Sequence, residues 1–204
     1  MLNKRGWIMT VLLILPLALV IGCGEYGKVD QGRVIKFDKD KKTCTLIRDM
    51  KADPQNPDYT HLPPVTYLTP TDPMEMGAEP KAGARMKLDT KNRQITIFDD
   101  GSQNFKTISY TLIDQKENVD KTDPLVFDKV EGKAKKFPLV NREKKTITIF
   151  SGRQKILVTF SLPDEYFSLP DNTWEAGDEV RIYYKEEGKA RRFMNVSKTD
   201  IYKK

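Results

Sequence analysis

The amino-acid sequence predicts an all-β protein built from an internal repeat of about 52 residues. The segment Glu131–Phe150 (EGKAKKFPLVNREKKTITIF) recurs without a gap, 52 residues earlier, as Glu79–Phe98 (EPKAGARMKLDTKNRQITIF). Its first seven residues return once more at Glu187–Phe193 (EGKARRF). Both long copies end in an alternation of polar residues and isoleucine, which is typical of a strand with one buried face. Beyond one possible turn at Glu165–Leu169, no segment after the leader has the pattern of a helix.

Residues 1–23 have the layout of an export signal. Lys4 and Arg5 precede an apolar run, Trp7–Ile21, which is shorter than the roughly 20 residues of a membrane-spanning helix. The run ends in V-I-G-C, which resembles the lipobox of bacterial lipoproteins. The resemblance implies cleavage before Cys23, a diacylglycerol attached to its sulfur and an acylated amine. Two or three acyl chains would anchor the chain stably.

The expected signal peptide also predicts where in the cell the protein is located. We interpret residues 1–22 as the signal peptide and 23–32 as a lipidated tether. The chain would then face the periplasm, with the lipid bilayer as its partner through Cys23. Gly24 stands where an Asp favours inner-membrane retention in enteric bacteria, so the outer membrane is the expected destination. The alternative is an uncleaved signal anchor.

The net charge argues against a nucleic-acid partner. Lys and Arg number 35 against 29 Asp and Glu, a formal charge of +6 that includes two basic residues of the leader. The small surplus is spread along the chain, which favours solubility, whereas nucleic-acid binding needs a concentrated basic face.

Three units follow the tether, at 33–85, 86–136 and 137–204. Each opens with a strand, a turn and a second strand, and the turn begins at Asp38, Asp89 or Asn141. An Asp or Asn followed by lysines between two apolar runs indicates a hairpin. Cys44 aligns with Ile95 and Ile147 in the second strand, so we expect Cys44 to be a buried core residue.

Further strands are predicted in each unit. The third-strand candidates are 65–68, 108–112 and 156–162, and fourth strands are expected at 125–127 and 180–184. Gly132 and Gly188 supply the glycine that a tight hairpin needs.

Unit one also carries a proline-rich insertion over 52–80. Because long loops in compact domains are often functional, this insertion is a candidate binding surface, and a solvated segment that covers a sheet edge is the alternative.

Unit three resembles small periplasmic OB-like domains. Strands 137–142, 146–152, 155–162, 179–185 and 189–196 follow one another, with a connector between the third and the fourth. That order matches the OB-fold plan, and W-E-A-G-D-E-V-R-I-Y-Y contains the G-D-x-V turn that starts the fourth strand in such domains. We therefore predict tandem or fused OB/SH3-like small barrels, with a single larger β-barrel or sandwich as the alternative.

The resemblance does not extend to a metal site. Some OB-like relatives bind copper through His, Met and Trp side chains. Unit three has Trp174 and Met194 but no histidine, so no cofactor is expected from the resemblance.

Catalytic motifs are not evident in the sequence, and we do not expect an enzyme. One histidine, His61, stands in the whole chain, without a nucleophile elbow, and there is no P-loop or dinucleotide fingerprint. The leading hypothesis is a non-catalytic envelope lipoprotein that binds or assists another envelope component. Its candidate contacts are Tyr59, Tyr110, Tyr183 and Tyr184, for which cross-strand packing is the alternative role.

Two other functions stay open from the sequence. A copper-handling lipoprotein would use His61, Met74 and Met76, because imidazole and thioether groups suit copper(I). A hydrolase of envelope polymers would need two carboxylates that converge in a cleft.

Overall fold

The computed structural model describes residues 26–51 and 57–199, and these residues form an all-β protein. The longest helical segment among them is a five-residue 3-10 helix, Asp164–Ser168. The all-β prediction and the expected single turn near residue 165 are therefore confirmed. In chain order the strands are β1 (Lys28–Asp38), β2 (Thr43–Arg48), β3 (His61–Leu68), β4 (Arg85–Asp89), β5 (Gln94–Asp99), β6 (Asn104–Ser109), β7 (Thr111–Lys116), β8 (Phe127–Asp128), β9 (Lys133–Ala134), β10 (Leu139–Asn141), β11 (Thr146–Ser151), β12 (Ile156–Ser161), β13 (Glu179–Glu186) and β14 (Lys189–Asn195).

Five strands from the two ends of the chain make a closed barrel in the order β1-β13-β14-β3-β2. The 11-residue β1 pairs antiparallel with β2 along one side and with β13 along the other. The barrel closes through a parallel contact between β3 and β14, at the pair Leu68 and Lys189. Its core consists of Val34, Cys44, Leu46, Tyr67, Val180, Ile182, Tyr184, Ala190 and Phe193.

The barrel follows the OB-fold plan, with an unusually long connector. Strands β1, β2 and β3 take the first three positions, and β13 and β14 take the last two. The intervening segment, 69–178, contains all the other strands.

Two sheets in this connector pack face to face. One is β10-β11-β12-β7 and the other is β4-β5-β6. Apolar side chains alternate along each strand, so the apolar face of one sheet lies against that of the other. The shared core therefore contains residues of both sheets and of the 3-10 segments. Its buried members are Leu88, Ile95, Ile97, Ile108, Tyr110, Ile147, Ile149, Val158, Phe160, Leu162, Phe167 and Trp174. A smaller cluster of Ile47, Tyr59, Met86 and Phe98 joins the barrel to the β4–β6 sheet.

The predicted hairpin turns are confirmed. Asp38 accepts a hydrogen bond from the backbone N–H of residue 41 at 2.9 Å, Asp89 from residue 92 at 2.9 Å and Asn141 from residue 144 at 2.8 Å. Each turn ends in a left-handed residue, Lys42, Arg93 or Lys145. The strands beyond the turns carry matching threonine pairs, Thr45–Thr66, Thr96–Thr107 and Thr148–Thr159.

The buried position of Cys44 is also as predicted. Cys44, Ile95 and Ile147 are all completely buried at equivalent places on β2, β5 and β11. The glycine turns are present as well, with left-handed Gly132 and Gly188.

The grouping of strands differs from the prediction. Residues 137–196 do not form one OB-like barrel, because β12 pairs with β7 while β13 and β14 pair with β1 and β3. β1 is long enough to pair with β2 and β13 at once, whereas β10 has only three residues. The interval 52–80 is likewise not one loop, since β3 supplies a barrel strand within it.

Candidate ligand-binding cleft

His61, Met74 and Met76 occupy different surroundings. His61 begins β3, and its Nε2 lies 3.0 Å from an Arg48 guanidinium nitrogen. Met74 is 91% exposed, whereas Met76 packs against the barrel core and bridges to Phe193 on β14. β3 meets β14 only at its last residue, so His61 lies seven residues of strand away from that junction. The three side chains are not brought together into one site.

The four candidate tyrosines are mostly core residues. Tyr110 is buried and stacks on Phe160 with ring centroids 4.5 Å apart, and buried Tyr184 lies 5.2 Å from Tyr67. Tyr183 is half-buried. Tyr59 is buried too, but it lines a cleft. Tyr110 and Tyr184 therefore have the packing role that the sequence left open beside a contact role, because their rings fill the interiors of a sheet pair and of the barrel.

A cleft of about 920 Å³ lies where the barrel meets the two sheets of the connector. β1 and β13 contribute from the barrel, β4 and β6 from one sheet, and the end of β11 with its following turn from the other. Its size is within the range of small-molecule sites. The charged and aromatic residues that line it include Arg33, Tyr59, Lys81, Arg85, Phe105, Phe137, Phe150, Arg153, Trp174, Glu175, Asp178 and Glu179.

Arg33 is the central cation of the cleft. Its side chain is only 8% exposed, and one terminal nitrogen donates to the carbonyls of Met86 at 2.6 Å and Arg85 at 3.2 Å. The guanidinium lies over the ring of Tyr59, with its carbon 4.3 Å from the centroid. Burial lowers the pKa of Arg33 below its ordinary value. Among the described residues, no carboxylate lies within 4.0 Å of this guanidinium.

Two further guanidinium groups line the same cleft. Arg85 donates from Nε to the Trp174 carbonyl at 2.9 Å. Burial, and after it the charge of Arg33, lowers the pKa of Arg85 to about 9. Arg153, exposed on the β11–β12 turn, adds to the lowering for both of these arginines. The cleft therefore gathers three like charges that raise one another's free energy.

The acids of the cleft have other partners. Glu175 pairs with Lys81 at 3.6 Å. Asp178 accepts from the Lys81 backbone and from the Asn195 amide, both at 2.9 Å. Buried Glu179 accepts from Gln31. The charges of Glu179 and Glu175 oppose the lowering of the pKa of Arg33 and of Arg85, respectively, but do not cancel it.

Three buried donors in the cleft lack a partner within the described part of the chain: Arg33 Nε, the Tyr59 hydroxyl and Trp174 Nε1. Arg33 and Tyr59 are each 8% exposed and Trp174 is fully buried. Buried polar atoms are nearly always hydrogen-bonded in proteins. Of the seven such atoms in the described residues, three are donors on side chains that line this one cleft, which favours it as a place where a ligand accepts hydrogen bonds.

Sequence reasoning singled out Tyr59 and Trp174 but missed the arginines. Arg33, Arg85 and Arg153 stand far apart in the chain, and charge patterns around them resemble those of the solvated turns. Only the packing of the connector against the barrel brings them together. Their spacing in the sequence carries no signal that groups them.

Over residues 26–51 and 57–199, no cluster of three or more His, Cys, Asp or Glu side chains is arranged to hold a metal ion. The same residues include no helix of the length and apolarity needed to cross a membrane. The predicted lipidation residue, Cys23, lies outside the described residues.

A model of the family described as a domain of unknown function, DUF4881, matches residues 25–204. Neither a curated protein nor a solved structure matches the chain significantly.

Proposed function

The chain belongs to the DUF4881 family, and we propose that it is a non-catalytic envelope lipoprotein that binds a ligand in the cleft between its barrel and its connector sheets. Cys23 carries the lipid anchor in this proposal, and the domain that follows faces the periplasm from the outer membrane. The bilayer is one partner and the occupant of the cleft is the other.

The observation that carries the binding role is the set of unpartnered donors around Arg33. An unsatisfied buried donor lowers the free energy of unfolding by about 1–3 kcal/mol. Three of them would therefore destabilise the fold without any benefit if these residues served only for packing. A ligand that accepts hydrogen bonds from all three would recover that free energy. Binding sites commonly combine apolar walls with a few such convergent polar groups.

The composition of the cleft favours binding over catalysis. Among its described lining residues there is neither a histidine nor a cysteine. Glu175 is paired with Lys81, while Asp178, Glu179 and Asp58 accept hydrogen bonds, so the acids do not form a free pair. This is why we propose a binding module and not a hydrolase.

The chain between the anchor and the barrel supports a position close to the membrane. β1 begins at Lys28, five residues after Cys23. Five extended residues span at most about 18 Å. The barrel would therefore lie near the bilayer surface, with little freedom to reach distant partners.

The anchor is tested by mass spectrometry of the N-terminal peptide and by fractionation of cells that express the full chain. We expect a diacylglyceryl and acyl modification at Cys23 and recovery of the protein in outer membranes. Cys23→Ser should release the chain or leave its leader uncleaved. Cys44→Ala is the matched control and should keep the modification. An unmodified Cys23 in membrane-associated protein would overturn the anchor.

The binding role is tested by native mass spectrometry of the full chain, extracted from its own membranes in mild detergent. We expect one non-covalent ligand per chain. Its occupancy should fall in Arg153→Gln, whose side chain is exposed in the cleft, and should persist in Arg191→Gln, which is exposed on β14 outside it. A chain without any ligand, or equal occupancy in both variants, would contradict the proposed function.

A further inference from the structure

We propose that the cleft recognises an oxyanion, the carboxylate or phosphate group of a small molecule with an apolar or planar body. This inference rests on the proposed function and names the chemistry of its ligand. Arg33, Arg85 and Arg153 would bind the charged group, with the Tyr59 hydroxyl and the Trp174 indole as additional donors.

The free groups of the cleft are donors, which limits what can satisfy them. An arginine Nε–H and an indole N–H can only donate a hydrogen bond. The Tyr59 hydroxyl can donate as well, and its oxygen is buried beside Arg33. A ligand group that meets them must therefore supply several acceptor lone pairs. Carboxylate and phosphate oxygens do so, and they match the planar fork of arginine.

The charges of the cleft also favour an anionic ligand. A buried guanidinium is costly without a close counter-charge, and Arg33 contacts carbonyls and an aromatic ring, with no carboxylate of the described residues within 4.0 Å. The nearby charges of Arg85 and Arg153 add repulsion. The charges of Glu175 and Glu179 relieve only part of this repulsion, and among the described residues no carboxylate forms a salt bridge with any of the three arginines. An anion from solution would lower the free energy of all three arginines at once.

The walls of the cleft suggest the rest of the ligand. Phe105, Phe137 and Phe150 line it and are half-buried, so part of each ring remains accessible. A volume of about 920 Å³ exceeds what an inorganic anion needs. An anionic group attached to an apolar or planar body would use both the arginines and these rings.

Trp174 provides the readout of the test. The full chain contains two tryptophans, Trp7 in the leader and Trp174 in the cleft. In full chain carrying Trp7→Phe, indole fluorescence therefore reports on the cleft alone. The probes are inorganic phosphate, phenyl phosphate, benzoate and the uncharged benzyl alcohol.

We expect a saturable fluorescence change with the three anions, tightest for phenyl phosphate, and none with benzyl alcohol. Arg153→Gln should weaken binding of each anion by about threefold, because its side chain is exposed and screened. Arg33→Lys should weaken it by about tenfold, because the lysine keeps the charge and loses the fork. Arg191→Gln should bind like the parent chain.

The outcomes separate the two proposals. Binding of benzyl alcohol as tight as that of benzoate, or anion binding unchanged by Arg153→Gln, would overturn the oxyanion inference. If no anion binds and native mass spectrometry still finds a ligand, the inference fails alone and the binding function stands. If neither experiment finds a ligand, both proposals fail. Should Arg33→Lys not fold, Arg153→Gln still decides the matter.

Discussion

The guanidinium carbon of Arg33 lies 4.3 Å from the centroid of the Tyr59 ring, and each side chain keeps one buried donor without a partner in the described residues. The ring face offers the cation part of what a carboxylate would offer, since its quadrupole is negative there. This stacking lets a charged residue stay in a nearly closed interior while its Nε remains available. The stacked pair therefore stabilises a buried charge and still leaves two hydrogen-bond donors for a ligand.

The first prediction concerns the Tyr59 hydroxyl. Tyr59→Phe keeps the ring under Arg33 and removes an oxygen that has no described partner. We expect the free energy of unfolding to stay constant or to rise by up to about 1 kcal/mol, because an unsatisfied buried group is lost. Urea denaturation measures this change. Anion binding should weaken in the same variant.

Tyr67→Phe is the matched control for that variant. The Tyr67 hydroxyl donates to Asp30 at 2.5 Å, so its removal should lower the free energy of unfolding by about 1–3 kcal/mol. If Tyr59→Phe were as destabilising as Tyr67→Phe, the Tyr59 hydroxyl would have a partner within the protein.

The second prediction concerns the contact between the barrel and the connector at Gly177. A Cβ on Gly177 would lie 1.8 Å from the carbonyl oxygen of Val34. That oxygen also accepts from the Gly83 N–H at 3.1 Å. Gly177→Ala must therefore displace backbone, and we expect a loss of about 3 kcal/mol or more in the free energy of unfolding.

Gly101→Ala tests whether this loss is specific to the crowded position. The nearest atom to a Cβ there is a carboxylate oxygen of Asp99 at 3.6 Å, an ordinary contact. Its effect should stay within about 0.5 kcal/mol in thermal or urea unfolding. Equal effects of the two variants would show that the close approach at Gly177 is relieved without cost.

The third prediction concerns the reactivity of Cys44. Burial raises the pKa of its thiol to about 12, from an ordinary value of 9.0. At pH 8 the thiolate fraction is then about one part in ten thousand, so folded protein should not react with a thiol reagent such as Ellman's reagent. In denaturant, one thiol per chain should react if Cys23 is a thioether. Rapid reaction of the folded chain would place Cys44 at the surface.

The fourth prediction concerns the β4–β5 turn. The backbone N–H of Asn92, and then its side-chain amide, lower the pKa of the Asp89 carboxyl. A lowered folded-state pKa stabilises the protein above the unfolded-state pKa, and this contribution is lost as pH falls through the folded-state value. Asp89→Ala should lower the free energy of unfolding at neutral pH by about 0.5–1.5 kcal/mol.

Asp89→Asn separates the hydrogen bond from the charge. The equivalent turn residue Asn141 accepts the same backbone bond without a charge. We expect Asp89→Asn to retain more stability than Asp89→Ala at neutral pH and to show less loss of stability below pH 4 than the parent chain. Urea unfolding at several pH values measures both. Parallel pH profiles of parent and Asp89→Asn would contradict the role of this carboxyl.

Local structure was predictable because its causes are local. An Asp or Asn that accepts from a backbone N–H three residues on, followed by a left-handed residue, makes the same turn after β1, β4 and β10. The alignment of Cys44 with two isoleucines predicted its burial for the same reason. The fourth and fifth strands of an OB-like barrel were likewise recognisable in β13 and β14.

What the sequence could not decide was which copy of the repeat pairs with those two strands. The copies that begin at β1 and at β10 have the same turns and the same threonine pairs, so local chemistry does not distinguish them. The choice depends on strand length and on packing across the whole chain. The cleft has the same origin, since Arg33, Arg85 and Arg153 become neighbours only after that choice is made.

The way the barrel closes has a consequence for biogenesis. β1 pairs with β13, some 150 positions later, and the ring is completed by one residue pair between β3 and β14. Non-local pairing of this kind is slow, and the first three strands expose unpaired edges until the last two arrive. If Cys23 carries the proposed lipid anchor, these edges would be exposed beside the membrane, where a chaperone that shields strand edges would act. Loss of the final 26 residues, which include β13 and β14, should leave a chain that aggregates.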